Sequence, residues 1–214
     1  MINIKNYNYA FELFFVITII SIVITFSLNY LFLSDGLYYQ SFGEKIATDR
    51  IAKIIEQSQK WQWLGYLFVP IAILTRVGFT ATCIYIGLFV ANLKVRFREL
   101  FKVALLADFV FVMAGLVKLV ILIFFKEVNT LGDLQFQPLS LMELFDRKSV
   151  DVLFIYPLSI ISAFELIYWL TLAWLLTGVV EEPLGSSLKT VASSYGVGLA
   201  LWVLFVMFLT VNLS

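Results

Sequence analysis

The 214-residue chain contains no histidine and a single cysteine, Cys83. Without histidine there is no Ser-His-Asp triad, no Cys-His dyad and no His-containing zinc site. One cysteine leaves no intrachain disulfide and argues against a structural zinc site. Charge is also scarce: 14% of the residues are charged, against roughly 25% in a soluble domain. The 15 basic and 15 acidic residues cancel, so the chain has no overall basic surplus of the kind nucleic acid requires. No glycine-rich phosphate loop, metal-ligand cluster or paired-carboxylate motif stands out, and no cofactor is expected. Glu181 and Glu182, just before Pro183, read as a solvated turn. An enzyme is the less favoured class, although carboxylate acid–base chemistry needs no histidine.

What is abundant is apolar. Hydrophobic residues make up 61% of the chain and the mean hydropathy is +0.94. The 21 Phe, 10 Tyr and 5 Trp suit lipid-facing helices with aromatic residues at the interfaces. About 20 apolar residues cross ~30 Å of hydrocarbon as a helix, and five such runs occur, at 13–33, 64–91, 103–125, 152–180 and 191–213. The sequence therefore predicts an all-α polytopic membrane protein, one integral membrane domain over residues 1–214. The first run, LFFVITIISIVITFSLNYLFL, exceeds the 7–15 apolar residues of a signal peptide and precedes no small-residue cleavage site, so it is expected to be retained. The second is interrupted by Pro70 and the fourth, near its start, by Pro157.

Two loops carry helix-start signals. In the first, SFGEKIATDRIAKIIEQSQKW, Ser41 and Glu44 stand in capping-box spacing, and Ala47, Ile51, Ile54, Ile55 and Ser58 follow at helical intervals. An amphipathic helix on the bundle or membrane surface is expected there. In the loop 126–151, QPLSLMELFDRKS places Ser140 and Glu143 in the same spacing after Pro138, which predicts an interfacial half-helix. The basic loop NLKVRFRELFK holds Lys94, Arg96, Arg98 and Lys102, and the positive-inside rule applied to it places the N-terminus in the cytoplasm.

Four ionisable residues fall inside the apolar runs: Arg76, Asp108, Lys118 and Glu165. At ~1.5 Å of rise per residue, Arg76 lies within about 3 Å of the midpoint of its run, and Glu165 is equally central in its own. An unpaired buried charge is far costlier than a paired one, so equal depth predicts an Arg76–Glu165 pair. Asp108 lies about 9 Å from the middle of the third run and Lys118 about 6 Å beyond it, so these two are ~15 Å apart along the axis. Lys118 has the stem length to snorkel; Asp108 does not. Ser159, Ser162 and Glu165 share one face, with Tyr156 and Tyr168 near it, and Thr18, Ser21 and Thr25 form a polar face on the first run. Such faces point into a bundle, to bind neighbouring helices or to line a wet cavity. The set admits three roles: a structural network, a solute, ion or lipid pathway through Asp108, Glu165 and Arg76, or catalysis. Ala192, Gly196 and Ala200 make a small-residue row for close packing.

A proline-containing second helix, a short basic loop, the segment ALLADFVFVMAG, a loop with PLSL, a helix after YPLS and the closing LWVLFVMFL together resemble a bacterial member of the Yip1-like family over residues 61–213. That resemblance implies five spans and a cytoplasmic N-terminus. Eukaryotic members act in membrane traffic, bind small GTPases or shape membranes; their Tyr/Gly motif is missing here, so GTPase binding is not implied and no functional residue carries over. The Ile- and Phe-rich composition suits an AT-rich bacterial genome, and an inner-membrane location is expected. The expected function is membrane organisation or a complex-subunit role, with a small transporter or channel-like subunit as the alternative. Expected partners are membrane lipids, further membrane subunits or a second copy of the chain.

Overall fold

The computed structural model describes residues 10–43, 46–147 and 149–213. Among the described residues nine α-helices follow in chain order: α1 (Ala10–Phe32), α2 (Asp35–Phe42), α3 (Thr48–Val90), α4 (Phe97–Ala107), α5 (Phe109–Phe124), α6 (Val152–Ile160), α7 (Ala163–Val180), α8 (Leu184–Val191) and α9 (Val197–Leu213). A five-residue π-helical stretch, Ala192–Gly196, joins the last two. Five helical stretches among the described residues are long and apolar enough to cross a membrane: Ala10–Phe32, Thr48–Val90, Phe97–Phe124, Ala163–Val180 and Leu184–Asn212.

The spans differ from the apolar runs in instructive ways. Pro70 does not interrupt the second; α3 continues through it for 43 residues. At ~1.5 Å per residue α3 is about 65 Å long, twice a hydrocarbon slab. Its N-terminal part is the amphipathic stretch of the first loop, which is thus fused to the span and not a separate surface helix. Ser41 is not a helix start: it lies in the last turn of α2, its hydroxyl donating to the Leu37 carbonyl at 2.7 Å. Glu44, its expected capping partner, lies outside the described residues. α2 packs on the base of α3 through Tyr38, Ile51 and Ile55, with Tyr38 Oη 2.6 Å from Ser58 Oγ. The Leu131 amide donates to Ser41 Oγ at 2.8 Å and ties the later loop to the same platform.

The expected half-helix after Pro138 is one 3₁₀ turn, Leu141–Leu144, with Ser140 before it making no side-chain cap. Glu143 turns instead to Lys126 at 3.3 Å. Ser140 pairs with Ser162 in an isolated antiparallel bridge: the Leu141 amide donates to the Ile161 carbonyl at 2.9 Å, and the Ala163 amide to the Leu139 carbonyl at 3.0 Å.

That bridge fills a gap in the fourth span, which is not one helix but two, α6 and α7. Ile161 and Ser162 take extended backbone angles, and Ser162 caps α7 by accepting from the Glu165 amide at 3.1 Å. Backbone groups left open at a break must find partners, and the loop supplies them. The core lies below the break, where α3, α4, α7 and α8 meet. Val77, Ala81, Ile84, Leu100, Ala104 and Leu172 are fully or almost fully buried there.

Candidate functional site

Arg76 projects from the middle of α3 and meets Asp108 at the joint between α4 and α5. Its Nε donates to Oδ1 at 2.6 Å and its Nη2 to Oδ2 at 2.9 Å, a bidentate pair. The Arg76 carbon Cζ also lies 4.3 Å from the centroid of the Phe111 ring, one turn along from Asp108. Asp108 is completely buried, whereas the Arg76 side chain is 39% exposed. The pair is therefore one-sided, with its carboxylate in protein and its guanidinium facing open space.

The expected partner, Glu165, is not the one Arg76 takes. The error lies in where the helices begin. The third span runs from Phe97 to Phe124, so its middle falls near residue 110, about 4 Å from Asp108. The fourth span-length helix begins only at Ala163, which puts Glu165 in its first turn. Depth taken from the apolar runs favoured the wrong carboxylate. A carboxylate in the first turn is instead favoured by the positive end of the helix dipole. Glu165 Oε1 accepts from Trp169 Nε1 and from the Tyr195 hydroxyl, each at 2.9 Å. Tyr195 lies in the π-helical stretch, and such bulges often reorient a side chain at a working site.

Arg76 and Glu165 nevertheless look into the same space. A cavity of about 780 Å³ is bounded by α1, α3, α5, α6, α7 and the last span. Arg76, Lys118 and Glu165 all line it, as do Ser21, Thr25, Ser159, Ser162 and Tyr156. Lys118 makes no ion pair or hydrogen bond with the described residues. Ser159 and Thr25 return their hydroxyl protons to their own helices, at the carbonyls of Ile155 and Ser21. Tyr156 Oη accepts from Trp202 Nε1 at 2.8 Å.

Three of the polar residues expected to line such a space, Asp108, Tyr168 and Thr18, lie off the cavity. Asp108 stands behind Arg76, out of contact with the open space. Tyr168 is wholly buried and donates to Thr80 Oγ1 at 3.0 Å. Thr18 is buried on α1, and its hydroxyl has no partner among the described residues. Among the described residues no three His, Cys, Asp or Glu side chains come together as a metal site would require.

Sequence reasoning missed Trp169, Tyr195, Trp202, Phe111 and Gln137 as parts of this site. Aromatic residues are common along every span, so nothing in the pattern singled them out. One signal was present: Ser162 and Glu165 stand in the S-x-x-E spacing that marks a helix start. It announces the break in the fourth span. Comparison with protein-family models, with curated proteins and with solved structures finds no match.

Proposed function

We propose that the protein is a multi-pass integral membrane protein whose work is done in its polar cavity, where it receives a solute or lipid from within the bilayer. The single observation that carries this reading is the convergence of Arg76, Lys118 and Glu165, from three different spans, on one cavity of about 780 Å³. That volume falls in the ~300–1,000 Å³ range of small-molecule sites. Intramembrane charges are expensive and usually serve a pathway or a ligand. Broken helices at membrane depth are tolerated where they line a cavity, and the α6–α7 break supplies Ser162 and Glu165 to this one.

Two roles divide among the charges. The Arg76–Asp108 pair is a staple between α3 and the α4–α5 joint, consistent with the complete burial of Asp108. Arg76's outer edge, Lys118 and Glu165 serve the ligand. The pathway alternative thus becomes the leading reading, with Asp108 as support and not as a stepping stone. A bacterial inner-membrane location, a cytoplasmic N-terminus and a Yip1-like layout belong to the same proposal.

The test is water access. With Cys83→Ala as background, Ser159→Cys in the cavity and Val23→Cys on the outer face of α1 are treated in membranes with a small hydrophilic thiol reagent. Labelling at position 159 but not 23 is expected. Equal protection at both positions would overturn the reading and leave a dry packing defect.

A further inference from the structure

We infer that the cavity is built for a zwitterionic group, one phosphate or carboxylate together with one ammonium, carried on an apolar chain. The inference rests on the cavity reading above and adds the ligand's chemistry. Its basis is the set of polar atoms that the fold leaves uncommitted.

Arg76 gives Nε and Nη2 to Asp108, so Nη1 stands free on the exposed side of the guanidinium. An arginine held from behind by a buried carboxylate keeps its planar fork aimed, which suits an oxyanion. Lys118 adds a second cation to the same wall and has no partner among the described residues. Glu165 commits Oε1 twice, to Trp169 and Tyr195, and no bond from a described residue occupies Oε2. The site thus offers cationic donors to an anion and one carboxylate oxygen to an ammonium.

The charge sum selects among ligand types. Arg76 and Asp108 cancel, and Lys118 and Glu165 cancel. A net anion or a net cation entering this low-dielectric space brings a charge without a counter-charge, which is costly. A zwitterion leaves the sum at zero and satisfies both unmatched residues. The remainder of the wall is largely apolar, with Ile24, Leu28, Val69, Ile73, Phe79 and Leu199, and it suits an acyl chain better than water. The phosphoethanolamine diester of a lipid headgroup has this chemistry, and so does the free, water-soluble diester glycerophosphoethanolamine.

The experiment uses the full chain in detergent, with native mass spectrometry. Phosphatidylethanolamine and phosphatidylglycerol of identical chains are offered in equal amounts, and the free headgroup diester, glycerophosphoethanolamine, is offered separately. Preferential retention of phosphatidylethanolamine by about tenfold, or ~1.4 kcal/mol, is expected. Glu165→Gln should bring the ratio towards one, whereas Lys118→Met, which leaves Glu165 without a counter-charge, should weaken the retention of both lipids. Glu165→Gln keeps an acceptor oxygen for Trp169 and Tyr195, so its fold is preserved. Retention of glycerophosphoethanolamine that both variants weaken supports the same chemistry from a soluble source. Equal retention of the two lipids without binding of the free headgroup, preference for phosphatidylglycerol, or insensitivity to both variants overturns the inference. If Ser159→Cys is labelled while the lipids are not distinguished, the cavity stands and only the ligand assignment falls.

Discussion

The two ends of α7 behave differently although they belong to one helix of 18 residues. The C-terminal part, with Leu172, Ala173 and Leu176, is fully buried against α4 and α8. The N-terminal turn, with Phe164 and Glu165, lines the cavity, and Ser162 does so just before it. Side-chain size explains the contrast. The packed end meets α4, whose buried residues include Ala104 and Ala107, and small residues let helix backbones approach. The open end meets the kinked α6, the loop that returns to bridge it and a π-helical stretch, none of which offers a regular ridge. Tight packing and a cavity are adjacent results of where the helix regularity stops.

The largest effect should come from the boundary between the two regions, the Arg76–Asp108 pair. Asp108→Leu leaves a guanidinium without its carboxylate, and loss of one partner of a buried pair costs about 3–5 kcal/mol. Because Arg76 faces open space, the lower end, about 3 kcal/mol, is expected in reversible unfolding in mixed micelles. Adding Arg76→Met should restore most of that stability, and failure to restore it would show that Asp108 holds something other than Arg76.

A smaller effect is expected in the packed region. A Cβ at Gly87 would sit 2.4 Å from Ser194 Cβ, an approach neither backbone can relieve by a rotamer change. Gly87→Val should cost about 1–3 kcal/mol through overpacking, whereas Gly78→Ala, with nothing within 4 Å of the added carbon, should cost none of that clash. The same unfolding assay separates them. Equal losses at Gly87 and Gly78 would mean that close α3 packing against the last span is not what glycine serves there.

Across the cavity the effect on stability should be slight. Lys118→Met removes a cation without a described partner, and a change of this kind falls within about ±0.5 kcal/mol. A loss of several kcal/mol would instead place Lys118 in the structural network. The smallest effect concerns the loop outside the spans. Burial pushes the Asp133 carboxyl up, but hydrogen bonds from the Thr130 hydroxyl and the Thr130 and Asn129 amides, with nearby Lys126, hold it below its ordinary value. A lowered folded-state value means that its contribution is present above the ordinary carboxylate range, near ~3.9. It is lost as pH falls through the folded-state value. The protection factor of the Thr130 amide, the slowing of its exchange relative to the unfolded chain at the same pH, should fall only in that acidic window and stay constant with pH in Asp133→Asn.

Composition and apolar run length determined by themselves that this chain forms helices of spanning length, because ~30 Å of hydrocarbon and 1.5 Å of rise leave few alternatives. They also located the four ionisable residues within those runs. They did not determine which charges meet. That choice depended on helix ends: on α3 running through Pro70, on α4 starting at Phe97, and on α7 starting at Ala163 because the loop residues Leu139 and Leu141 satisfy the broken backbone. A shift of a few residues in a helix start moves a side chain by several ångströms, which exceeds the reach of a hydrogen bond. Periodicity grouped Ser159, Ser162 and Glu165 on one face, and the fold places all three on the cavity although the helix between them is broken. Tertiary structure alone decided that Asp108 would hold Arg76 from behind, and so left Glu165 and Lys118 facing open space.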